Sequence, residues 1–360
     1  MIDLLNKIRP VVMKSWRIWM KFSLPFMILF FTLINNPALS QDMHFSQFFE
    51  APLLRNPSLA GIFTGDIRVQ MVYRNQWNSF TNAYKTGSFN AEYKLPVGKG
   101  DDFVTAGMQI LYDKAGTVGL TTTHLLPAIN YHKSLNGNKT TYLSFGFMGG
   151  LVEKSIDRSK ITTNSQYDGL AYNPALADGE TFSAAKYDYF DGSFGASFNS
   201  TFGANHLNTY FVGIAYHHFN RPRNSFYRTV DAALNPKYVI SGGIKFIIDD
   251  KTFFTLQADQ SMQGSFNETI GGALYSIKIG EPDEPNYTLH AGAFLRWKDA
   301  LIPVIKLDYN PFSIALSYDV NVSQLKTVSQ GRGGVELSIS YIGFLDRNNS
   351  TRDKVLCPHF

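Results

Sequence analysis

The sequence predicts an all-β protein, a transmembrane antiparallel β-barrel of about 14 strands preceded by a non-strand N-terminal segment. Three observations carry that prediction. Strand-length stretches alternate between apolar and polar residues, the period of two that marks a strand with two different faces. Charged residues are 17% of the 360, against about 25% in soluble domains, while 29 Phe and 19 Tyr help bring aromatics to 14%. Downstream of the first 40 residues no apolar run approaches the ~20 needed for a helical span, so a chain of this kind crosses a bilayer only as a closed barrel, which satisfies every backbone N–H and C=O.

Residues 1–40 read as a signal peptide. Lys7, Arg9, Lys14, Arg17 and Lys21 form a cationic stretch, Phe22 to Ile34 an apolar one, and Ala38 and Ser40 occupy the −3 and −1 positions, so cleavage is expected after Ser40. The competing reading, a membrane anchor, is opposed by a run of 13 residues interrupted by Ser23 and Pro25. The formal charge of +4 belongs to this leader, because the remainder holds 28 basic and 28 acidic residues. A neutral remainder has no general pull toward polyanions, which excludes a charged nucleic-acid binder.

Segment 41–65 does not alternate and contains Pro52 and Pro57. Three placements stay open for it: a plug in the lumen, a lining of the periplasmic rim, or a flexible leader. The barrel is expected over 66–345. In Phe190, Gly192, Phe194, Ala196 and Phe198 one face is apolar or small, and Asp191, Ser193, Gly195, Ser197 and Asn199 form the other. The same pattern recurs in Leu143, Phe145 and Phe147, in Phe312 to Val320, and in Val335 to Tyr341. The second face is mainly Ser, Thr, Asn, Gln and Gly, which suits a hydrated lumen better than the Lys- and Glu-rich surface of a soluble sandwich.

Turn signals place strands at 66–74, 84–94, 102–112, 119–133, 139–152, 187–199, 208–219, 237–248, 252–260, 265–278, 286–297, 301–309, 311–320 and 333–344. Long segments 153–186, 220–236 and 321–332 then fall outside the cell, whereas Asn136-Gly137, Asp249 to Lys251 and Asn310-Pro311 form inner hairpins. Outer connections near Met262 and Lys298 are shorter than this scheme prefers. Residues 346–360 are expected to be a periplasmic tail, leaving Phe344 rather than Phe360 as the aromatic end of the barrel.

Catalytic patterns are scarce. There is no Gly-x-Ser-x-Gly turn; His217 and His218 are adjacent, so within a strand they point to opposite faces and end it at the interface. His124 with a distant Ser is the residual hydrolase reading. No His-x-x-x-His or His-Glu-x-x-His spacing offers a metal site, and Cys357 stands alone, so no metal, cofactor or disulfide is expected. Gly331 to Gly334 precedes a strand rather than a helix and reads as a loop, not a phosphate cradle. Asp101-Asp102 and Asp249-Asp250 read as solvated turns. Arg221 and Arg223 with Phe226, Tyr227 and Arg228 suit an outer loop touching anionic lipid or protein. Abundant aromatics fit a lipid-facing surface with interfacial girdles.

The mature start reads Gln41-Asp42-Met43-His44-Phe45-Ser46-Gln47-Phe48-Phe49, followed by Asn56-Pro57-Ser58-Leu59-Ala60-Gly61 and Tyr73-Arg74-Asn75-Gln76-Trp77. Toward the other end stand Arg296-Trp297-Lys298-Asp299-Ala300-Leu301-Ile302-Pro303, Ser317-Tyr318-Asp319-Val320-Asn321, Gly333-Gly334-Val335-Glu336-Leu337 and Cys357-Pro358-His359-Phe360. In order and spacing these blocks resemble the PorP/SprF family of the type IX secretion system. Met43 and His359 depart from the family pattern, where Pro and Arg are common. The resemblance implies an outer-membrane barrel similar to fatty-acid-transporter-type barrels, not an enzyme. It also implies partners among type IX secretion components, the periplasmic ring included, or the C-terminal domain of a secreted adhesin used in gliding.

Two functional classes follow: a secretion accessory that anchors or recognises cargo or apparatus, and a pore or transporter for a small amphipathic solute. Candidate site residues are Arg74, Asn75, Gln76 and Trp77 at the end of the first strand, with Asp299, Asp319 and Asn321 near the outer ends of later ones. They are expected to form a shared polar cluster or partner contact at the outer rim; the plainer alternative is an interfacial Trp77 and polar residues that satisfy one another, since charges at membrane depth need partners. His44, Phe45, Gln47, Asn56 and Pro57 divide in the same way between plug packing and partner docking.

Overall fold

The computed structural model describes residues 42–76, 84–98, 101–136, 140–180, 184–203, 207–227, 232–282, 285–323, 329 and 331–345. The leader 1–40, Trp77 and the tail 346–360 with Cys357 lie outside them. Among the described residues no helix is long and apolar enough to cross a membrane.

The strands are β1 (Ile67–Gln76), β2 (Tyr84–Pro96), β3 (Phe103–Ala115), β4 (Leu120–Ser134), β5 (Tyr142–Ser155), β6 (Lys186–Phe202) and β7 (Asn208–His217). They continue with β8 (Lys237–Ile247), β9 (Thr252–Gln263), β10 (Phe266–Gly280), β11 (Pro285–Arg296), β12 (Ala300–Tyr309), β13 (Phe312–Asn321) and β14 (Arg332–Gly343). Each pairs antiparallel with its sequence neighbours, and β1 pairs with β14 from Ile67↔Gly343 to Gln76↔Gly334, so the barrel closes and leaves no edge. All fourteen expected strands are present. β5 begins at Tyr142 rather than 139 because the Asn136 side-chain oxygen accepts the N–H groups of Thr140 and Thr141 at 3.3 and 3.2 Å, holding those residues in the turn. β9 extends to Gln263 because its turn into β10 is only residues 264–265, with Gly264 at φ 58°.

Alternation sorts the residues by solvent. Met71, Phe145, Phe194, Ile214, Ile305, Leu316 and Ile339 are exposed on the outer wall, where lipid takes the place of water. Asn90, Gln109, Asn130, Ser144, Ser197, Gln257 and Ser338 are buried on the inner wall. One end of the barrel carries the start of β1 and the end of β14, together with short connections such as 248–251 and 310–311; it is called the terminal end below. The other, the loop end, carries connections 156–185, 218–236 and 322–331, besides the short 264–265 and 297–299.

Residues 43–66 form no strand. They comprise a 3-10 turn at Phe48–Glu50, one short helix α1 (Pro52–Arg55) and a second 3-10 turn at Pro57–Leu59. Pro52 starts α1 where its missing N–H costs nothing. Asn56 starts the second turn, its side chain accepting from the Ser58 N–H at 2.8 Å. This segment lies inside the barrel. Phe48 and Phe49 pack with Ile270, Leu274, Phe294, Ile302 and Val304; Leu53 and Ala60 pack with Leu126, Ala128, Met148 and Val152; Leu59 and Ile62 pack with Phe103, Tyr142 and Phe211.

Candidate functional site

The segment runs the length of the lumen, from the loop end at Met43 to the terminal end at Asp66, and it is fastened at three levels. At the loop end, Arg74 on β1 sets Nη2 2.9 Å from Asp319 Oδ2 on β13, Nε 3.2 Å from Glu336 Oε1 on β14, and donates Nη1 to the His44 carbonyl at 2.7 Å. Arg296 on β11 joins from the far side, with Nη1 3.3 Å from Asp319 and 3.1 Å from Asp299, Nε 3.5 Å from Glu268, and Nη2 donating to Ser46 Oγ at 2.5 Å. Acids outnumber arginines here, and the segment's backbone supplies the balance. The N–H groups of Ser46 and Gln47 donate to the two oxygens of Glu336 at 2.6 and 2.7 Å, while Gln47 Nε2 donates to Ser317 Oγ and the Glu336 carbonyl. Phe45 sits beneath, buried with Ala51, Val72 and Leu111.

At mid-depth, Arg55 donates Nε to Asp259 Oδ2 at 2.7 Å and Nη1 to Gln257 Oε1 at 2.9 Å, with its guanidinium 4.7 Å above the Phe48 ring. Glu50 accepts from Lys306 at 2.7 Å and from Gln70 at 3.1 Å. Asn56 donates to the carbonyls of Ala196 and Ile214 on β6 and β7. This approach is so close that only glycine fits beside it: a Cβ on Gly195 would lie 1.9 Å from Asn56 Oδ1, and one on Gly146 would lie 2.4 Å from the Pro57 carbonyl carbon.

Toward the terminal end the segment accepts more hydrogen bonds than it donates. Asn130 Nδ2 donates to the carbonyls of Ser58 and Ala60 at 2.6 and 2.9 Å, and the Gly61 N–H donates to Glu92, which is forked to Arg68 at 2.7 and 3.0 Å. Lys94 donates to the Phe63 carbonyl with its ammonium 4.2 Å from that ring's centroid.

Of the residues singled out in the sequence, Arg74, Asp319 and Asp299 come together, and His44, Phe45 and Gln47 meet them from the segment. Asn56 and Pro57 occupy the glycine cradle. Asn75 lies on the opposite face of β1 from Arg74 and stays outside the cluster, since side chains alternate along a strand. Gln76 lies on the lumen side above Arg74. Asn321 is buried but serves another purpose: it donates to Ser329 Oγ and the Arg332 carbonyl, tying Ser329 to the start of β14. Glu336, Arg296, Glu268, Arg55 and Asp259 were not singled out. Their signal is a charge on the polar face of a strand, or within the apolar segment, where a partner is obligatory.

The histidines need one correction. His217 and His218 do not divide between the two faces, because His218 follows the end of β7 at φ 56° and turns back inward. His217 meets Ser193 Oγ at 3.0 Å through Nδ1 and the Arg55 carbonyl at 3.2 Å through Nε2, and His218 meets Asp191 at 2.8 Å. The Ser–His contact recurs as His132–Ser144 and His290–Ser276, both at 2.7 Å, which marks it as a way of filling the inner wall. In Ser276–His290–Asp308 a third partner is present, with Nε2 2.9 Å from Asp308, yet Ser276 is wholly enclosed and offers no nucleophile to a substrate.

A model of the type IX secretion system membrane protein PorP/SprF matches residues 38–341. The chain belongs to that family. No curated protein matches its sequence. Among solved structures, this PorP/SprF chain is similar to a FadL homologue of Pseudomonas aeruginosa (11% identity, 81% of this chain and 94% of that one, TM-score 0.45). It is also similar to the P. putida toluene transporter TodX (10%, 83% and 95%, 0.43). Against CdiB from Acinetobacter baumannii (10%, TM-score 0.42) it covers 77% of its own length and 60% of that chain. As a PorP/SprF barrel it is an outer-membrane protein of type IX secretion.

Proposed function

We propose that this PorP/SprF barrel is a non-enzymatic receptor of type IX secretion, holding a secreted cargo or adhesin domain at its loop end while the barrel itself conducts nothing. The carrying observation is the lumen segment: it is fastened at both ends and in the middle, so a polypeptide has no free path through the wall-to-wall contacts of 43–66. A fourteen-stranded barrel is narrow to begin with, since width grows with strand number. Binding is therefore left to the ends. The 156–185 connection offers an apolar tip, with Leu170 93% exposed and Tyr167 and Tyr172 beside it, on a turn held by Asp168. Clustered exposed apolar residues mark interaction surfaces.

The test is an affinity pull-down of the tagged chain from detergent-solubilised outer membranes, with mass spectrometry of the co-purifying proteins, repeated with residues 164–176 deleted. Recovery of a secreted protein's C-terminal domain that disappears on deletion supports the receptor reading. Periplasmic ring components recovered equally with both chains shift the role to apparatus anchoring at the terminal end. Recovery of the barrel alone overturns the proposal.

A further inference from the structure

The terminal end of the lumen contains a cavity of about 250 Å³ between the segment, β1 and β8–β14, floored by Phe49, Ile62 and Phe63. Cations outnumber acids on its lining. Lys306 is neutralised by Glu50 at 2.7 Å and Asp308 at 3.8 Å, and Arg68 by Glu92. Lys278 donates to the Pro282 carbonyl at 2.9 Å and, among the described residues, makes no ion pair. Lys245 holds its ammonium 4.2 Å from the Phe253 centroid and, among the described residues, makes no ion pair or hydrogen bond. Asp308, already shared by Lys306 and His290, also lines this space, so among the described residues Lys245, Lys278, Lys306 and Arg68 face Glu50, Asp308 and Glu92, a surplus of one cation. Cations gathered inside a barrel wall repel one another unless an anion joins them.

We propose that this cavity binds a small organic carboxylate, its charge held by Lys245 and Lys278 and its apolar body lying against Phe49, Phe253 and Leu274. The inference is independent of the secretion reading. An organic anion fits better than an inorganic one because Phe49, Phe253 and Leu274 line the cavity beside the hydroxyls of Thr255 and Thr288, and the nearby guanidinium that would fork a phosphate is already forked to Glu92. Size sets an upper bound, since the volume falls below the roughly 300–1,000 Å³ of drug-sized pockets. The cavity is therefore matched to a benzoate or a short-chain fatty acid, not a long acyl chain.

The experiment is isothermal titration of the purified full chain in detergent with benzoate, benzyl alcohol and inorganic phosphate. Benzoate is expected to bind one-to-one, at least tenfold tighter than either comparator. Lys245→Gln and Lys278→Gln, introduced separately, should each weaken benzoate at least tenfold, with near-ultraviolet circular dichroism reporting the fold of each. Should one variant not fold, the other decides. Lys154→Gln, at the loop end, should leave binding unchanged. Equal binding of benzyl alcohol would reduce the site to an apolar hole and overturn the proposal. So would phosphate binding as tightly as benzoate, or no heat from benzoate at millimolar concentration.

Discussion

The two ends of the lumen solve the same problem with opposite charge. At the loop end Glu268, Asp299, Asp319 and Glu336 surround Arg74 and Arg296, and the segment brings backbone N–H groups to the surplus acid. At the terminal end the segment mainly offers carbonyls, Phe63 O to Lys94 and Ile62 O to Arg68 at 3.5 Å, with the Gly61 N–H going to Glu92. A peptide has both polarities at every residue, so one extended segment complements an acidic mouth and a basic mouth without changing composition. The difference also explains why the cavity at the terminal end, about 250 Å³, is larger than the one of about 50 Å³ beside His44 and Glu268 at the loop end. Around Glu336 the segment's donors converge on one carboxylate, whereas Lys245 and Lys278 lie where the segment has already turned toward β1.

The largest effect concerns which mouth faces which side of the membrane. With long connections outside the cell, as barrels of this class place them, Met43 emerges at the surface although β1 starts at the opposite end. An epitope inserted between Asp42 and Met43 should be stained on intact cells, and the same epitope in the 281–284 connection only after permeabilisation. The reverse staining would exchange the two ends and move the receptor surface to the periplasm.

Arg74→Ala tests the acidic mouth. It leaves Asp319 to Arg296 and Glu336 to the N–H groups of Ser46 and Gln47, and breaking a buried pair costs about 3–5 kcal/mol. A fall of that size in unfolding free energy by urea titration in vesicles is expected, with Arg74→Lys intermediate because a lysine cannot serve two carboxylates and the His44 carbonyl in one plane. No loss would mean that the backbone N–H groups satisfy Glu336 unaided.

The strands were legible in the sequence because lipid and lumen impose opposite demands on alternate residues: Phe194 and Ser193 could not exchange faces. The cluster was legible only in part. Arg74 and Asp319 could be named, but their contact spans 245 residues and exists only because β1 closes on β14. Arg55 and Asp259 are 204 residues apart, and nothing local links them. Least legible were the glycines, whose role appears only when Asn56 is pressed against β6.

Gly195→Val sharpens that point. The new side chain meets Asn56 Oδ1, so the segment must shift, at about 1–3 kcal/mol for an overpacked site. A cysteine at Ser58, buried in the parent chain, should become reactive toward maleimide in the variant. Gly87→Val is the control, since a Cβ there meets nothing within 4 Å and labelling should not change.

The smallest effect separates acids inside the barrel from one at its margin. Asp102, in the turn before β3, accepts from Lys133 Nζ at 2.8 Å, Tyr131 Oη at 2.6 Å and the Ser134 N–H at 2.9 Å. Partial desolvation works to raise its pKa, but those three donors outweigh it and hold the carboxyl below its ordinary value of 3.8. A depressed folded-state pKa means that the stabilisation is complete above the ordinary value and lost as pH falls through the lower, folded one. Asp102→Asn should therefore lower the urea midpoint at pH 7 and converge with the parent chain in acid below pH 3.8. Because Lys133 is half exposed and screened by water, the gap at neutral pH should stay below about 1 kcal/mol. A loss at pH 7 as large as that of Arg74→Ala would show that the turn is as dry as the acidic mouth, and that water does not divide the two regions.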